Sequence, residues 1–301
     1  MVDSYSKIFD SAFRTVATKA PETMIPLTIE LFGPDDIGEG IVVNLQEIYP
    51  EHYGLREADA VFALGWHVYH FECQAASDSR MPVRMLEYDF AIGRANVGMS
   101  RLGYELAFPR SCVVHLRGKT TLRPQRVLIA FASGRKITYR YRDLWLSDYT
   151  IDDIFSRRLY ALLPFWPVRI ETEIDSAISG NPKADKVLAE LGSILPRLAA
   201  DVGENSLVYN VVGSAFVKVG RHVIPGNDDF SKKARSVMGG EVWELPFEKA
   251  ERIAREAEER GMAKGMEKGE AKGASQARDA IAANLRSLGV DETIIAKAIA
   301  V

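Results

Sequence analysis

Apolar residues near the start of the chain recur at the spacing of one helix face. The first of them are Ile8, Phe9, Phe13 and Val16. Residues separated by three or four positions lie on the same side of a helix, so the pattern predicts helical structure over residues 5–33. Gly33 and the proline after it interrupt the pattern. A short strand is predicted next, at residues 41–45.

A different pattern replaces the helical spacing between residues 59 and 75. In the second half of this stretch Tyr69, Phe71 and Cys73 alternate with His70, Glu72 and Gln74. Alternation of this kind predicts a half-buried strand whose polar side faces a cleft. Gly65-Trp66 divides the stretch, and a two-residue loop that begins with glycine is typical of a type II′ hairpin turn.

The predicted hairpin places two acidic residues opposite each other. If Leu64 pairs with His67, then Asp59 pairs with Glu72, because both pairs are centred on the same turn. Opposite residues have Cβ atoms about 4.5–5.5 Å apart. Two carboxylates this close repel unless one binds a proton or both bind a cation, and Mg²⁺ prefers oxygen ligands. A small metal site is therefore predicted; the alternative is that Asp59 only begins a strand while Glu72 and Gln74 face solvent.

The remaining pattern predicts an α/β fold in which strands come early and helices come late. A helix begins near Met81 with proline in its first turn, and its predicted inner stripe is Leu86, Phe90, Gly93 and Val97. Apolar runs predict strands at 112–116, 127–131 and 137–141. From Ile151 the pattern becomes helical, and helices are expected from Glu171 to Ala200.

These elements predict three parts of the chain: a core at 1–150, a helical extension at 151–245 that completes the domain, and a charged tail at 246–301. The tail repeats a Gly-x-x-Lys tetrapeptide from Gly261 to Lys272. Each glycine costs a helix about 1 kcal/mol relative to alanine. We expect a marginal helix that orders in a homo-oligomer, followed by short terminal helices; a simple linker is the alternative.

Composition adds a locally basic surface to this picture. The chain has 301 residues, 47% of them hydrophobic, which suffices for one large domain or two smaller ones. Its net charge of −3 conceals the stretch from Arg80 to Arg142, which holds thirteen Lys or Arg residues and three acids. Basic surfaces attract phosphate backbones. The alternative is that these charges only solvate strand edges.

The sequence also indicates a cellular compartment and argues against some kinds of site. Cys73 and Cys112 lie in apolar runs, which favours buried free thiols over a disulfide framework. No apolar signal core or membrane-length apolar run occurs, so a cytoplasmic protein with no membrane partner is predicted. The five histidines show no zinc spacing, and no Walker-type phosphate loop is present.

Taken together, these residues resemble the PD-(D/E)XK nuclease superfamily, and more closely its Rpn-like branch of recombination-promoting nucleases and transposases. The resemblance spans most of the chain and implies a restriction-endonuclease-like core, with a mixed central sheet flanked by helices. The segments that carry it are Phe9-Asp10-Ser11-Ala12-Phe13-Arg14, Glu57-Ala58-Asp59-Ala60-Val61-Phe62, His70-Phe71-Glu72-Cys73-Gln74, Met81-Pro82-Val83-Arg84-Met85-Leu86-Glu87-Tyr88, Leu162-Leu163-Pro164-Phe165 and the Gly-Lys tail.

The resemblance also implies roles for individual residues. Asp59 matches the metal-binding aspartate and Glu72 the acid of the (D/E)-x-K element, while Gln74 stands at the lysine position. The neutral amide of glutamine only forms hydrogen bonds, although Rpn-like relatives commonly have glutamine here. The backbone carbonyl of Cys73 matches a further ligand for Mg²⁺ or Mn²⁺. An acid from the first helices completes such sites; Asp10 is the first candidate and Glu30 the second.

The function implied is metal-dependent hydrolysis of DNA phosphodiester bonds by an endonuclease linked to recombination or mobile elements. Asp59, Glu72 and Gln74 would be its catalytic residues. DNA is the expected partner, contacted through Arg80, Arg84, Tyr88, Arg117 and Lys119. The alternative is a catalytically inert DNA-binding or assembly module of the same fold.

Overall fold

A computed structural model of the chain describes residues 2–34, 42–45, 58–95, 97–101, 103–118, 126–178, 184–226, 228–239, 280 and 282–284. The chain forms two compact units, Met1–Trp243 and Glu244–Val301. In the second unit the described residues are helical. The Gly-x-x-Lys repeats of the predicted tail, with their expected role in self-association, lie outside the described residues.

Nine strands occur in the described ranges. They are β1 (Val43–Asn44), β2 (Ala60–Leu64), β3 (His67–Gln74), β4 (Gly98–Ser100), β5 (Gly103–Glu105), β6 (Arg110–His115), β7 (Arg126–Ala130), β8 (Lys136–Arg140) and β9 (Arg142–Trp145). The predicted strands at 112–116, 127–131 and 137–141 are confirmed as β6, β7 and β8, each displaced by one or two residues.

Five of these strands form a mixed sheet in the order β1-β2-β3-β6-β9. The pairs β1–β2 and β2–β3 are antiparallel, whereas the pairs β3–β6 and β6–β9 are parallel. The pairs β4–β5 and β7–β8 form separate two-stranded ribbons. The prediction of an α/β fold with a mixed sheet is therefore confirmed.

The helices of the first unit are α1 (Val2–Lys19), α2 (Met24–Phe32), α3 (Met81–Ala95), α4 (Ile151–Ser156), α5 (Trp166–Arg169), α6 (Glu171–Ile178), α7 (Ala184–Val202), α8 (Leu207–Val223) and α9 (Asp229–Val237). Thr150 caps α4 through a reciprocal capping box with Asp153. None of the described helices combines the length and apolar character that crossing a membrane requires.

Helices cover both faces of the sheet. On the apolar face of β3, the ring of Tyr69 lies 5.4 Å from that of Phe32 in α2. On the polar face of β3, His70 contacts Asp89 of α3. α1 packs on α8 and on the 3₁₀ helix Tyr160–Phe165. The helices after residue 150 therefore share one core with the preceding strands.

The buried face of α3 differs from the predicted stripe. Of the predicted residues, Gly93 is buried and Leu86 packs against the core, but Phe90 is exposed and Val97 lies beyond the helix. Met85, Tyr88 and Ile92 are buried instead. The helix is therefore rotated by about one residue relative to the prediction. The cause is Asp89, which also lies on the buried face and which a count of apolar positions alone excludes.

Candidate active site

The β2–β3 hairpin has the predicted register. Leu64 pairs with His67 and Ala60 with Phe71. Gly65 has a φ of 60°, whereas Trp66 does not have a positive φ. A type I′ turn requires positive φ at both central residues, so the turn is of type II′, as its sequence predicts.

Asp59 and Glu72 meet at the open end of this hairpin. The backbone N–H of Asp59 donates to Glu72 Oε1 at 3.2 Å, and the N–H of Cys73 donates to Asp59 Oδ2 at 2.9 Å. Asp59 is 5% exposed and Glu72 is 3% exposed. The solvent-facing alternative is therefore wrong for Glu72. Asp59 does lie just before β2. Its carboxylate accepts the hydrogen bond from Cys73 N–H, which the backbone carbonyl of a longer β2 would otherwise accept.

The environment of Asp59 disfavours its negative charge. Burial raises the pKa of Asp59 well above its ordinary value, and the charges of Glu72 and Asp10 raise it further. The Cys73 N–H and the guanidinium of Arg14, 3.8 Å from Asp59 Oδ1, act in the opposite direction and do not offset the increase. Burial and the neighbouring carboxylates therefore disfavour the charged form of Asp59, and a cation bound beside it would favour that form.

The backbone of Cys73 points toward this acidic cluster. In a strand the N–H and C=O of one residue point to the same side, and the Cys73 N–H points to Asp59. The next carbonyl, that of Gln74, points the other way and accepts from Leu116 N–H at 2.8 Å. The Cys73 carbonyl is therefore directed past the end of β2, on the side where the predicted ligand set requires it.

The Cys73 and Cys112 thiols are free and buried, as predicted. Burial raises the pKa of both thiols, and the charge of Asp59 raises that of Cys73 further. Both side chains are therefore neutral thiols at neutral pH, and only the backbone of Cys73 is suited to a hard cation.

Gln74 supplies a further oxygen atom without a partner. Its Oε1 atom is buried and accepts no hydrogen bond in the described part of the chain. A buried acceptor without a donor costs about 1–3 kcal/mol. This amide oxygen is therefore suited to a water molecule that donates to it.

Arg84 contacts Glu72 from α3. Its Nη2 lies 3.4 Å from Glu72 Oε2, and its Nη1 lies 3.0 Å from Asp78 Oδ2. The ring of Tyr88 lies 5.9 Å from this guanidinium and is buried. Arg84 and Tyr88 therefore belong to the candidate site itself, where Arg84 offsets part of its negative charge.

A buried polar network holds Glu72 from the other side. His70 is fully buried, with Nε2 3.2 Å from Glu72 Oε1 and Nδ1 2.7 Å from Asp89 Oδ1. Asp89 Oδ2 accepts from the hydroxyls of Ser111 and Tyr139, each at 2.6 Å. Burial lowers the pKa of His70, but its hydrogen bonds to Asp89 and Glu72 outweigh that effect and raise the pKa to about 10. His70 is therefore an imidazolium at neutral pH, placed between two carboxylates.

A second histidine lies beside Gln74 at the carboxyl ends of the parallel strands. His115 pairs with Gln74 in the β3–β6 register and with Trp145 in the β6–β9 register. Its Nε2 atom lies 2.7 Å from Asp143 Oδ1, and its ring stacks on Trp145 at 3.9 Å. Sequence reasoning missed this group, because its members are about thirty positions apart in the chain.

The remaining predicted residues occupy different settings. Arg80 is exposed beside the start of α3. Arg117 is half-buried and forms a two-point ion pair with Glu171, at 2.6 and 2.9 Å. Lys119 lies outside the described residues. Glu30 accepts from Tyr149 and Arg157, and only Asp10 of the two helix candidates acts electrostatically on Asp59.

The residues at this site suit a hard divalent cation. Two carboxylates, a directed carbonyl and an amide oxygen without a partner are the kind of donors that Mg²⁺ and Mn²⁺ take. Within the described ranges, no three His, Cys, Asp or Glu side chains are grouped closely enough to form a metal site by themselves. The predicted ligand set, which combines side chains with a backbone carbonyl, stays a prediction.

Compared with protein-family models, with curated proteins and with solved structures, the chain matches none of them.

Proposed function

We propose that the chain is a metal-dependent endonuclease that hydrolyses DNA phosphodiester bonds, with a restriction-endonuclease-like core of the Rpn-like type. One observation carries the proposal. Asp59 and Glu72, which the sequence resemblance assigns to the metal, meet in a buried cluster where burial and the charge of Glu72 raise the pKa of Asp59.

Asp59, Glu72 and the Cys73 carbonyl would hold Mg²⁺ or Mn²⁺, with Asp10 close by. When bound, such a cation polarises the scissile phosphate and lowers the pKa of an attacking water. Gln74 contributes through Oε1, which accepts a hydrogen bond from that water and orients it.

The residues around Glu72 hold its carboxylate in one orientation. His70 and the Asp59 N–H hold Oε1, and Arg84 lies against Oε2, so the carboxylate has a fixed orientation. A ligand that is oriented before binding loses less freedom when it binds. Arg80, which is exposed beside the start of α3, would contact the DNA backbone.

A second candidate is a DNA-binding or assembly module of the same fold without catalytic activity. It is favoured by Gln74, which cannot supply the positive charge of the lysine usual at this position. It is also favoured by the hydrogen bonds that already occupy Glu72 on both oxygens. In this reading the His70 and Arg84 cations take the place of a metal.

Nicking of supercoiled plasmid distinguishes the two candidates. Wild-type protein is incubated with Mg²⁺, with Mn²⁺ and with EDTA, alongside Asp59→Asn and Glu72→Gln. Glu204→Gln is the matched control, because Glu204 is an exposed acid in the loop before α8. We expect metal-dependent nicking that falls more than about 100-fold in both site variants and is unchanged in the control.

Two other outcomes decide against this assignment. Equal nicking by wild type and both site variants would show that the cleavage does not arise at this site. No nicking by wild-type protein that still binds the plasmid would favour the inert module.

A further inference from the structure

The pair β7–β8 forms a ribbon that stands apart from the central sheet. Its cross-strand pairs are Arg126 with Arg140, Leu128 with Thr138 and Ala130 with Lys136 on one face, and Val127 with Tyr139 and Ile129 with Ile137 on the other. The second face packs against α3, through a cluster that includes Met81 and Met85. The first face, termed the outer face here, is exposed along its whole length.

The outer face is basic and carries no acid. No acidic residue occurs from Arg126 to Arg140, and none of the described carboxylates forms an ion pair with Arg126, Lys136 or Arg140. Arg126 and Arg140 are directly opposite each other. Like charges in opposite positions of a ribbon repel and are destabilising. An anionic partner bound across them attracts both arginines and so offsets their repulsion.

The shape of the ribbon selects among anionic partners. The major groove of duplex DNA is about 12 Å wide and admits a two-stranded β-ribbon, because neighbouring strands lie only about 4.8 Å apart. Arginine binds guanine edges and phosphates, while small side chains such as Ala130 and Thr138 suit thymine methyl groups. The major groove of duplex RNA is too deep and narrow for side chains to read.

We propose that the ribbon inserts its outer face into the major groove of duplex DNA. The ribbon packs on α3, the helix that places Arg84 against Glu72. The ribbon is therefore joined to the candidate active site through α3, and its outer face lies on the side opposite this helix. The inference deepens the proposed function by naming its DNA-binding element, and it rests on that function only for the choice of DNA as partner.

Binding is measured with full-length protein in EDTA, by fluorescence anisotropy of a labelled DNA duplex over a series of salt concentrations. The test variant is Arg126→Gln/Arg140→Gln. Its matched control is Lys232→Gln/Lys233→Gln, which removes the same charge from exposed residues of α9. Because both arginines are exposed and repel each other, we expect the test variant to melt no lower than wild type; Lys136→Gln provides an independent second variant.

The expected result is a loss of affinity of about 10-fold or more for the double arginine variant. Its plot of log affinity against log salt should be shallower by about 2, since each lost phosphate contact contributes about 0.9. The Lys136→Gln variant should weaken binding less, and the α9 control should bind as wild type. Equal binding by wild type and both ribbon variants overturns the proposal.

Groove choice is tested with competitors and with RNA. Methyl green, which occupies the major groove, should displace the protein, whereas the minor-groove ligand netropsin should not. The arginine substitutions should weaken binding to duplex DNA more than binding to duplex RNA. Displacement by netropsin alone, or an equal loss on DNA and RNA, overturns insertion into the major groove.

These outcomes are independent of cleavage. If wild type does not nick plasmid but loses DNA affinity in the arginine variant, the ribbon assignment stands and the endonuclease does not. If wild type nicks plasmid and the ribbon variants bind normally, the endonuclease stands and the ribbon assignment fails.

Discussion

The charge on buried His70 makes a strong and measurable contribution to stability. Its pKa is about 10 in the folded protein, against 6.5 for an ordinary histidine. At about 1.36 kcal/mol per pKa unit, this difference of about 3.5 corresponds to about 5 kcal/mol. Single domains are stable by only about 5–15 kcal/mol, so loss of the His70 proton should remove a large share of the total.

The direction in which stability changes with pH follows from the direction of the His70 pKa change. The folded value lies above the unfolded value, so the stabilisation is fully present below pH 6.5. It is lost progressively as the pH rises from 6.5 through 10, where the folded protein also releases the proton. In this interval the free energy of unfolding should fall by about 1.4 kcal/mol per pH unit through this group alone.

Urea denaturation at a series of pH values from 6 to 10.5 measures this effect. The comparison is with His70→Gln, which cannot carry the charge, and with His67→Gln as the control. His67 lies in the same strand and contacts the ring of Tyr69 but no described carboxylate. We expect the stability difference between wild type and His70→Gln to shrink by about 5 kcal/mol over this range, while the His67→Gln difference stays constant.

Parallel pH profiles for wild type and His70→Gln would refute the reasoning. The imidazole NMR signals of wild-type protein supply a second measurement, which does not require the variant to fold. A His70 ring that titrates near its ordinary pKa would contradict the ion pair with Asp89.

Two further predictions concern the acid cluster and Arg117. Because the pKa of Asp59 is raised, its ionised form costs stability above the ordinary aspartate range, so Asp59→Asn should melt higher than wild type without metal. Added Mg²⁺ should raise the melting temperature of wild type but not that of this variant. Asp78→Asn is the matched control, for which the opposite change is expected. Burial raises the pKa of Asp78, but hydrogen bonds from Arg80 and Arg84 outweigh burial and lower it. This variant should therefore melt lower than wild type. Arg117→Gln and Glu171→Gln should each cost about 2 kcal/mol in urea denaturation, and the double variant should cost clearly less than their sum; additive losses would show that the ion pair is not energetically coupled.

The hairpin was predictable because its information is local. A glycine-initiated turn lies between an apolar arm and an alternating arm, and together they fix the register that brings Asp59 to Glu72. A one-residue slip would turn the apolar side chains of β3 to the polar face. The pattern therefore specified the pairing without any knowledge of the remaining fold.

The network behind Glu72 was not predictable in the same way. His70 reaches Asp89, and Asp89 in turn reaches Ser111 and Tyr139, across separations of 19, 22 and 50 positions. No local spacing encodes such contacts. Tyr139 illustrates the limit, because no local pattern shows that its ring is buried and that its hydroxyl donates to Asp89.

Asp89 also disfavours incorrect arrangements of the strands around it. One carboxylate joins partners from β3, β6 and β8 to its own helix. If β8 slipped by one residue, Tyr139 would turn outward, Arg140 would take the inner position, and Asp89 would lose a donor in a place that water does not reach. Burying unmatched polar groups costs several kcal/mol. Arrangements with a shifted β8 are therefore destabilised at Asp89, whose hydrogen bonds are complete only in the native register.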